Sequence, residues 1–148
     1  MTATRSPFRF LFRVRYSECD AQQVVFNARY GDYADLAATE FLRAIGMDYR
    51  DMLARGLDNQ VVRMTMEWQS PAHFDEVLCA EVETCHLGNS SYTLYMGFSE
   101  RDSGRQVVTV EAVYVMVTTE PWEKTPIPGD IRKKLEEGAR GQVVNQAG

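Results

Sequence analysis

The chain has 148 residues, of which 45% are hydrophobic and 25% charged, and its formal net charge is −5 at pH 7. This length predicts one domain, and the composition is that of an ordinary globular protein. The acidic balance excludes a general nucleic-acid binder, because the phosphate backbone selects a basic surface. The sequence has no run of about 18 apolar residues and therefore predicts no membrane span, and its N-terminal residues lack the apolar core of a signal peptide.

The cysteine content indicates the redox environment. Cys19, Cys79 and Cys85 are an odd number of thiols, and no two of them form a CxxC pair. This pattern argues against both a disulfide framework and a zinc site. We therefore expect reduced thiols in a cytoplasmic protein that holds no metal.

The first predicted elements are a strand, a loop and a long helix. Apolar and arginine residues alternate over residues 9–16, which predicts a strand, and residues 17–26 have no period and predict a loop. Residues 28–45 place apolar side chains at helical spacing, which predicts an amphipathic helix of roughly 27 Å. Asn27 is its predicted N-cap and Gly46 its predicted C-cap.

The rest of the chain is predicted to be mostly strands. A short helix over residues 49–54 should end at Gly56. Period-two spacing then predicts strands over residues 62–68, 77–85, 92–99 and 106–118. In the first of these strands one core-facing side would carry Val62, Met64, Met66 and Trp68. Tight turns join the later strands and predict antiparallel hairpins, and the last strand should be central because it is apolar on both faces.

The order of these elements predicts an α+β fold. One long, curved antiparallel sheet would wrap around one central helix, with a core over about residues 8–120. Residues 121–148 would form a C-terminal extension, with a short helix over residues 131–137 and a frayed tail from residue 142. The outer face of the sheet would have little cover, which favours an oligomer.

Asp20 is the residue best placed for chemistry. It lies in the loop just before the long helix, whose first N–H groups could stabilise an oxyanion. The carboxylate could act as a general base or as a nucleophile in acyl transfer, or it could only fix a turn. The sequence contains no GxSxG, phosphate-loop or HExxH motif. His73 and His86 are predicted to be turn or surface residues.

Three segments resemble a known family. Residues 15–46, "RYSECDAQQVVFNARYGDYADLAATEFLRAIG", resemble the signature of hotdog-fold acyl-CoA thioesterases of the 4-hydroxybenzoyl-CoA thioesterase type, including the Tol-Pal-associated branch. "WQSPAHFDEVL" (residues 68–78) resembles the second signature of the family, and "LGNSSYTL" (residues 87–94) resembles the hairpin that follows. The positions of the first signature are matched by Asp20, Val24, Val25, Phe26 and Tyr30.

The resemblance implies a single hotdog domain that hydrolyses acyl-CoA to a free acid and coenzyme A. Asp20 would be the catalytic carboxylate, and the backbone N–H of Asn27 would polarise the thioester carbonyl. The acyl end of the pocket would be lined by Val25, Phe26 and Tyr30, while Ser90 and Ser91 would lie near the coenzyme A arm. The family places its sites between two subunits, so the resemblance implies at least a homodimer, with tetramers usual. It implies no cofactor beyond the coenzyme A of the substrate.

One position departs from the family, and several others have ordinary structural interpretations. Gln23 stands where the family usually has glycine, so either the loop has a different shape or an amide lies at the pocket mouth. We expect Asp75 to fix a turn and Glu18 to be a solvated charge. Cys19 has no histidine partner in sequence that would activate it as a nucleophile.

The sequence leaves two other functions open. A hotdog hydratase or dehydratase would need a histidine paired with an acid, and residues 17–30 contain no histidine. A non-catalytic acyl-binding or scaffold protein would use the apolar helix and the exposed sheet for partners.

Overall fold

The computed structural model describes residues 6–148. In this range the elements in chain order are β1 Phe8–Arg13, α1 Tyr30–Ala44, α2 Tyr49–Ala54, β2 Leu57–Trp68, β3 Val77–Leu87, β4 Ser91–Glu100, β5 Gln106–Thr119, β6 Trp122–Lys124, α3 Gly129–Glu137 and β7 Val143–Asn145. Two 3-10 turns, Tyr16–Glu18 and Asn27–Arg29, lie between β1 and α1. No helix of this range is long and apolar enough to cross a membrane.

The strands form one sheet in the order β2-β5-β4-β3-β1-β7, and β6 pairs with β5 outside this path. The long strands pair antiparallel throughout. As the sequence predicted, β5 is central, because β2 and β4 flank it. The α+β prediction of one long antiparallel sheet around a central helix is confirmed.

Helix α1 packs against the sheet through small side chains. Ala34 and Ala37 are fully buried, so the helix backbone can approach the sheet closely. Aromatic rings fill the space to either side, with the Phe41 ring centroid 5.7 Å from that of Phe8. The helix ends as predicted at Gly46, where φ is +84°. The Gly46 N–H donates to the Arg43 carbonyl, and the next N–H donates to the Leu42 carbonyl, which is the Schellman pattern.

The start of the helix differs from the prediction. A 3-10 turn over Asn27–Arg29 precedes α1, which begins at Tyr30. Phe26, with extended backbone angles, occupies the N-cap position of this turn, and no side chain caps it. The prediction of Asn27 as the N-cap was therefore wrong. Apolar spacing cannot separate a 3-10 turn from a first α-helical turn, because both place side chains three residues apart on one side.

Strand β2 also departs from the predicted pattern. The register shifts between Val61 and Arg63, which leaves Val62 in a bulge and 56% exposed. Val62 therefore does not share a face with Met64 and Met66, because an extra residue reverses the alternation. Trp68 was predicted to face the core, but it is 50% exposed. It lies at the end of an edge strand, where no further strand covers it.

The C-terminal segment belongs to the domain. Residues 142–148 were predicted to fray, yet β7 pairs parallel with β1. The Arg9 N–H donates to the Gln142 carbonyl at 3.0 Å. Helix α3 buries Ile131 and Leu135 in the main core. Because a three-residue strand carries too few residues to show a period, the sequence did not reveal this pairing.

Candidate active site

Asp20 begins a tight turn between β1 and α1. The Gln23 N–H donates to the Asp20 carbonyl at 2.9 Å, and the Asp20 N–H donates to the Val24 carbonyl at 2.9 Å. One carboxylate oxygen, Oδ1, accepts the Gln22 N–H at 2.8 Å. The other oxygen has no hydrogen-bond partner within residues 6–148, and the residue is exposed. Asp20 therefore fixes a turn and still presents one oxygen to solvent.

Gln23 takes the backbone conformation that glycine favours. Its φ is +64°, in the left-handed region, which costs an L-residue roughly 1 kcal/mol. Its carbonyl accepts the Phe74 N–H at 3.2 Å and ties the turn to the loop before β3. The departure from the family therefore leaves a turn of the shape that glycine allows, and the exposed Gln23 side chain extends from it.

Glu18, which was predicted to be solvated, is buried beneath the same loop. Its residue is only 7% exposed. Oε1 accepts the Arg15 N–H and the Tyr33 hydroxyl, both at 2.8 Å, and Oε2 accepts the Arg15 guanidinium at 2.9 Å. Burial alone would raise the pKa of Glu18, but the hydrogen bonds from Arg15 and Tyr33 outweigh it and lower that pKa. The prediction was wrong because the hydroxyl partner lies a full 15 residues away on α1, beyond the reach of any local pattern.

An open cleft lies beside the turn, at the start of α1. Its volume is about 260 Å³, and its lining residues are Val25, Asn27, Tyr30, Trp68, Gln69, Ser70 and Pro71. The rings of Tyr30 and Trp68 meet edge to face, with centroids 6.0 Å apart. The Tyr30 hydroxyl accepts the Ala72 N–H at 3.3 Å, which fixes the Tyr30 ring.

Two backbone donors are free at the start of α1, and one of them belongs to Asn27, which lines the cleft. In the 3-10 turn the Arg29 N–H donates to the Phe26 carbonyl, and the Tyr30 N–H donates to the Asn27 carbonyl. The N–H groups of Asn27 and Ala28 have no acceptor within residues 6–148. Unpaired N–H groups at the start of a helix attract negative charge. The sequence suggested the Asn27 donor; the second donor, on Ala28, follows from the 3-10 turn.

A polar cluster behind the cleft wall was not predicted. The Arg105 guanidinium donates to Glu76 Oε1 at 2.7 Å and to the Pro71 carbonyl at 3.2 Å. The His73 N–H donates to the same Glu76 oxygen at 2.6 Å. Burial works against ionisation of Glu76, yet these hydrogen bonds and the Arg105 charge lower its pKa. His73 and Asp75 are exposed turn residues, as expected, and Asp75 has a φ of +70°.

Only some of the other predicted site residues line the cleft. Val25 and Tyr30 line the cleft, whereas Phe26 is 51% exposed outside the lining. Ser91 pairs with Val115 of β5, whereas Trp68 pairs with Val108. Those two β5 residues are seven positions apart, or roughly 23 Å along a strand. One chain therefore does not bring Ser90 and Ser91 to the cleft that Trp68 lines.

The thiol nearest to Asp20 is not activated. Burial raises the pKa of Cys19, and the carboxylates of Glu18 and Asp20 raise it further. Its sulfur lies 3.7 Å from the Arg15 carbonyl oxygen. A thiol held in the protonated form is a weak nucleophile.

Comparison with known proteins identifies the family. Residues 14–135 match the sequence model of the Thioesterase-like superfamily. The chain belongs to the Thioesterase-like superfamily. Among curated relatives of this superfamily, a putative esterase of Aquifex aeolicus is 32% identical over 95 residues, covering 64% of this chain and 74% of that protein. The acyl-CoA thioester hydrolase YbgC of Escherichia coli O6:H1 is 28% identical over 120 residues, covering 80% and 87%.

Solved structures share the superfamily fold. A hypothetical protein of Aquifex aeolicus superposes with a TM-score of 0.80 at 26% identity, covering 87% of this chain and 99% of that one. A second structure is that of 4-hydroxybenzoyl-CoA thioesterase with an aspartate-to-asparagine substitution, in complex with 4-hydroxybenzoyl-CoA. It superposes with a TM-score of 0.79 at 18% identity, covering 86% of this chain and 96% of that one. At 18% identity, the likeness to 4-hydroxybenzoyl-CoA thioesterase shows a common fold and nothing more.

Proposed function

We propose that this protein hydrolyses acyl-CoA thioesters to a carboxylic acid and coenzyme A at the cleft beside Asp20. The carrying observation is the pair of free N–H groups on Asn27 and Ala28 at the start of α1. Asn27 lines the cleft, and the loop that leads into α1 carries Asp20, whose carboxylate has one free oxygen. An acyl transfer needs both a group that drives attack and donors for the oxyanion. The superfamily match and the YbgC likeness support the same chemistry.

The reaction follows from these groups. The thioester carbonyl oxygen accepts hydrogen bonds from the Asn27 and Ala28 N–H groups, and its carbon becomes more electrophilic. Asp20 takes a proton from water as the water oxygen bonds to the carbonyl carbon. The tetrahedral oxyanion then collapses, the carbon–sulfur bond breaks, and the leaving coenzyme A thiolate takes the proton from Asp20, which returns to its carboxylate form. Asp20 can alternatively attack the carbonyl carbon itself. The carbon–sulfur bond then breaks, the coenzyme A thiolate leaves, and water cleaves the resulting mixed anhydride to the free acid and the Asp20 carboxylate.

Side chains around these groups bind the substrate. Val25 and Tyr30 contact the acyl group near the thioester, and Phe26 shields it from the exposed side. Gln23 places an amide at the pocket mouth. No step requires a metal or a cofactor beyond the coenzyme A of the substrate. The cytoplasm stays the proposed location, and the free thiols of the chain support it.

A homodimer completes the proposed site. Strand β2 is a 12-residue edge strand on which Val61 and Val62 are 46% and 56% exposed. Such an edge is a template for another strand. A second copy pairing antiparallel about the centre of β2 brings the cleft of one chain beside the Leu57 end of the other. Because Ser91 lies level with Gln60 through Val115, the same pairing carries Ser90 and Ser91 toward the partner's cleft. Further pairing into a tetramer extends this proposal.

Replacement of the Asp20 carboxylate tests the function. Asp20→Asn should lower kcat by at least about 100-fold, the contribution of a positioned acid–base group, in a thiol-release assay over short-chain, long-chain and aromatic acyl-CoAs. The matched control is Asp75→Asn, at a second exposed aspartate that lies in a turn, which should keep wild-type turnover. Size-exclusion chromatography should show the same oligomer for both variants. Turnover by Asp20→Asn within twofold of the wild type on every substrate would overturn the assignment.

Water labelling separates the two roles of Asp20. In a single turnover in H₂¹⁸O, a base mechanism places ¹⁸O only in the product acid. A nucleophilic mechanism with water attacking the Asp20 carbon places ¹⁸O in the peptide that contains Asp20, which mass spectrometry detects.

A further inference from the structure

One wall of the cleft at the start of α1 is built by a segment without regular secondary structure. Residues 69–72, which we call the wall segment, follow β2 directly. Three of them, Gln69, Ser70 and Pro71, line the cleft. Because no helix or strand ladder bonds the backbone of such a segment, its shape depends on the other groups that hydrogen-bond to it. The tethers of the wall segment therefore decide the width of the cleft.

Backbone hydrogen bonds hold both ends of the wall segment. At its start, the Gln69 N–H donates to the Val107 carbonyl at 2.8 Å. At its end, the Ala72 carbonyl accepts the Val25 N–H at 2.9 Å, and the Ala72 N–H donates to the Tyr30 hydroxyl at 3.3 Å. Val25 and Tyr30 line the cleft themselves. The end of the wall segment is therefore joined directly to the side of the cleft that α1 and its preceding loop supply.

Arg105 holds the middle of the wall segment. Pro71 has no N–H, so its carbonyl is its only backbone hydrogen-bonding group, and this carbonyl accepts the Arg105 guanidinium at 3.2 Å. Arg105 Nε donates to the Ser70 hydroxyl oxygen at 3.3 Å, and the Ser70 hydroxyl donates to the Gln106 carbonyl. The hydroxyl of Ser70 is therefore bonded to groups outside the cleft lining, and one guanidinium fixes the two central residues of the wall.

Glu76 fixes that guanidinium in turn. Glu76 Oε1 accepts the Arg105 guanidinium at 2.7 Å. The two side chains are only 35% and 21% exposed, so water screens this ion pair less than it screens a pair on the open surface. A guanidinium is a planar fork whose N–H groups point in fixed directions. Arg105 can therefore bond Ser70, Pro71 and Glu76 together in one geometry.

We propose that Arg105 is a positioning residue that sets the acyl preference of this cleft. The role rests on the proposed function, because the acyl group next to the thioester is the group that meets the wall. Arg105 is not among the residues that line the cleft, so it acts on the substrate through Ser70 and Pro71. A fixed wall favours an acyl group that is narrow next to the carbonyl over one that is branched there. Without the guanidinium the wall moves outward, and the branched acyl group fits better.

Isomeric substrate pairs test this role in the intact protein. Butanoyl-CoA and 2-methylpropanoyl-CoA contain the same atoms and differ in width beside the carbonyl; 4-methylbenzoyl-CoA and 2-methylbenzoyl-CoA form the matching aromatic pair. Both members of a pair compete in one sample, which gives the ratio of their kcat/KM values. A loss of folded enzyme lowers both rates equally and leaves this ratio unchanged. The wild type should favour the narrower member of at least one pair about tenfold or more, the effect of one misplaced methyl group in a hydrophobic pocket.

Three variants separate positioning from a general effect of lost charge. Arg105→Met removes the donors and should lower the ratio at least about fivefold, because the wall no longer excludes the extra methyl group. Glu76→Gln keeps the size of the side chain and removes the charge that holds Arg105, so it should lower the ratio by about twofold or more. The matched control is Arg101→Met, in the turn between β4 and β5, where the Arg101 guanidinium donates to Asp102. Its ratio should equal the wild-type value.

The outcomes are distinct. Rapid hydrolysis with ratios near one in the wild type overturns the role of Arg105 and leaves the thioesterase function standing. A wild-type ratio in Arg105→Met also overturns it, and where that variant gives no folded protein, a wild-type ratio in Glu76→Gln does so. An equal fall in Arg101→Met overturns it too, because any lost arginine of the turn then has the same effect. No hydrolysis by the wild type of any of the four substrates or of the wider acyl-CoA panel overturns the proposed function and this role with it.

Discussion

Removal of the buried Glu18 carboxylate should destabilise the fold, because two hydrogen-bond donors lose their acceptor. Glu18→Ala leaves the Tyr33 hydroxyl, on a residue 1% exposed, without an acceptor, and it frees the Arg15 N–H. A hydrogen bond to a charged group contributes about 1.5–3 kcal/mol, and a neutral one about 1 kcal/mol. The Arg15 guanidinium is 69% exposed, so its ion pair adds little. The expected loss in the free energy of unfolding is therefore about 3 kcal/mol.

Urea unfolding at fixed protein concentration measures this loss, and a double-mutant cycle tests its cause. Tyr33→Phe alone should cost about 1–2 kcal/mol, and in the Glu18→Ala background it should cost much less, because the unpaired hydroxyl is then removed. The carboxylate has a lowered pKa in the folded state. Its stabilisation is therefore fully present above the unfolded value near 4.3 and disappears as pH falls through the folded pKa.

Two results would refute this reasoning. At pH 7, the free energy of unfolding of Glu18→Ala could lie within about 0.5 kcal/mol of the wild-type value, which is about the error of the extrapolation. That result would show that the hydrogen bonds to Glu18 do not stabilise the fold. A difference between wild type and variant that grows as the pH is lowered below about 4 would show that folding raises the pKa of Glu18 instead of lowering it.

Three further substitutions test other parts of the site. Gln23→Gly should stabilise the protein by up to about 1 kcal/mol in thermal unfolding because it relieves a positive φ, whereas Gln22→Gly in the same turn should destabilise it; the opposite order would contradict the backbone argument. Cys19→Ala should keep turnover within about twofold of the wild type, since its thiol is protonated, and a loss above tenfold in a folded variant would make it a catalytic candidate. Tyr92→Phe should raise the midpoint of thermal unfolding, because it removes a buried hydroxyl that has no partner in the free protein; a lower midpoint would indicate a partner for that hydroxyl.

The sequence by itself determined the fold class and most elements. Helical spacing over residues 28–45 and period-two spacing beyond Gly56 reflect which faces are buried, and burial is the strongest local constraint. Gly46 at the end of α1 could be predicted correctly because a left-handed C-cap depends on the backbone freedom of one residue. The sequence around Asp20 likewise predicted a loop before the long helix, because the loop and the first apolar residues of the helix lie within one short segment.

Tertiary structure decided what depends on distant partners. Glu18 is buried because Tyr33 reaches it from α1, Trp68 is exposed because β2 is an edge, and residues 143–145 form a strand because β1 offers an unpaired side. The unpaired N–H of Ala28 exists because the chain makes a 3-10 turn before α1. The spacing of apolar residues along the sequence shows only whether a face of a helix or strand is buried on average. Hydrogen-bond partners, strand edges and clefts are set by residues far apart in sequence, so only the folded structure reveals them.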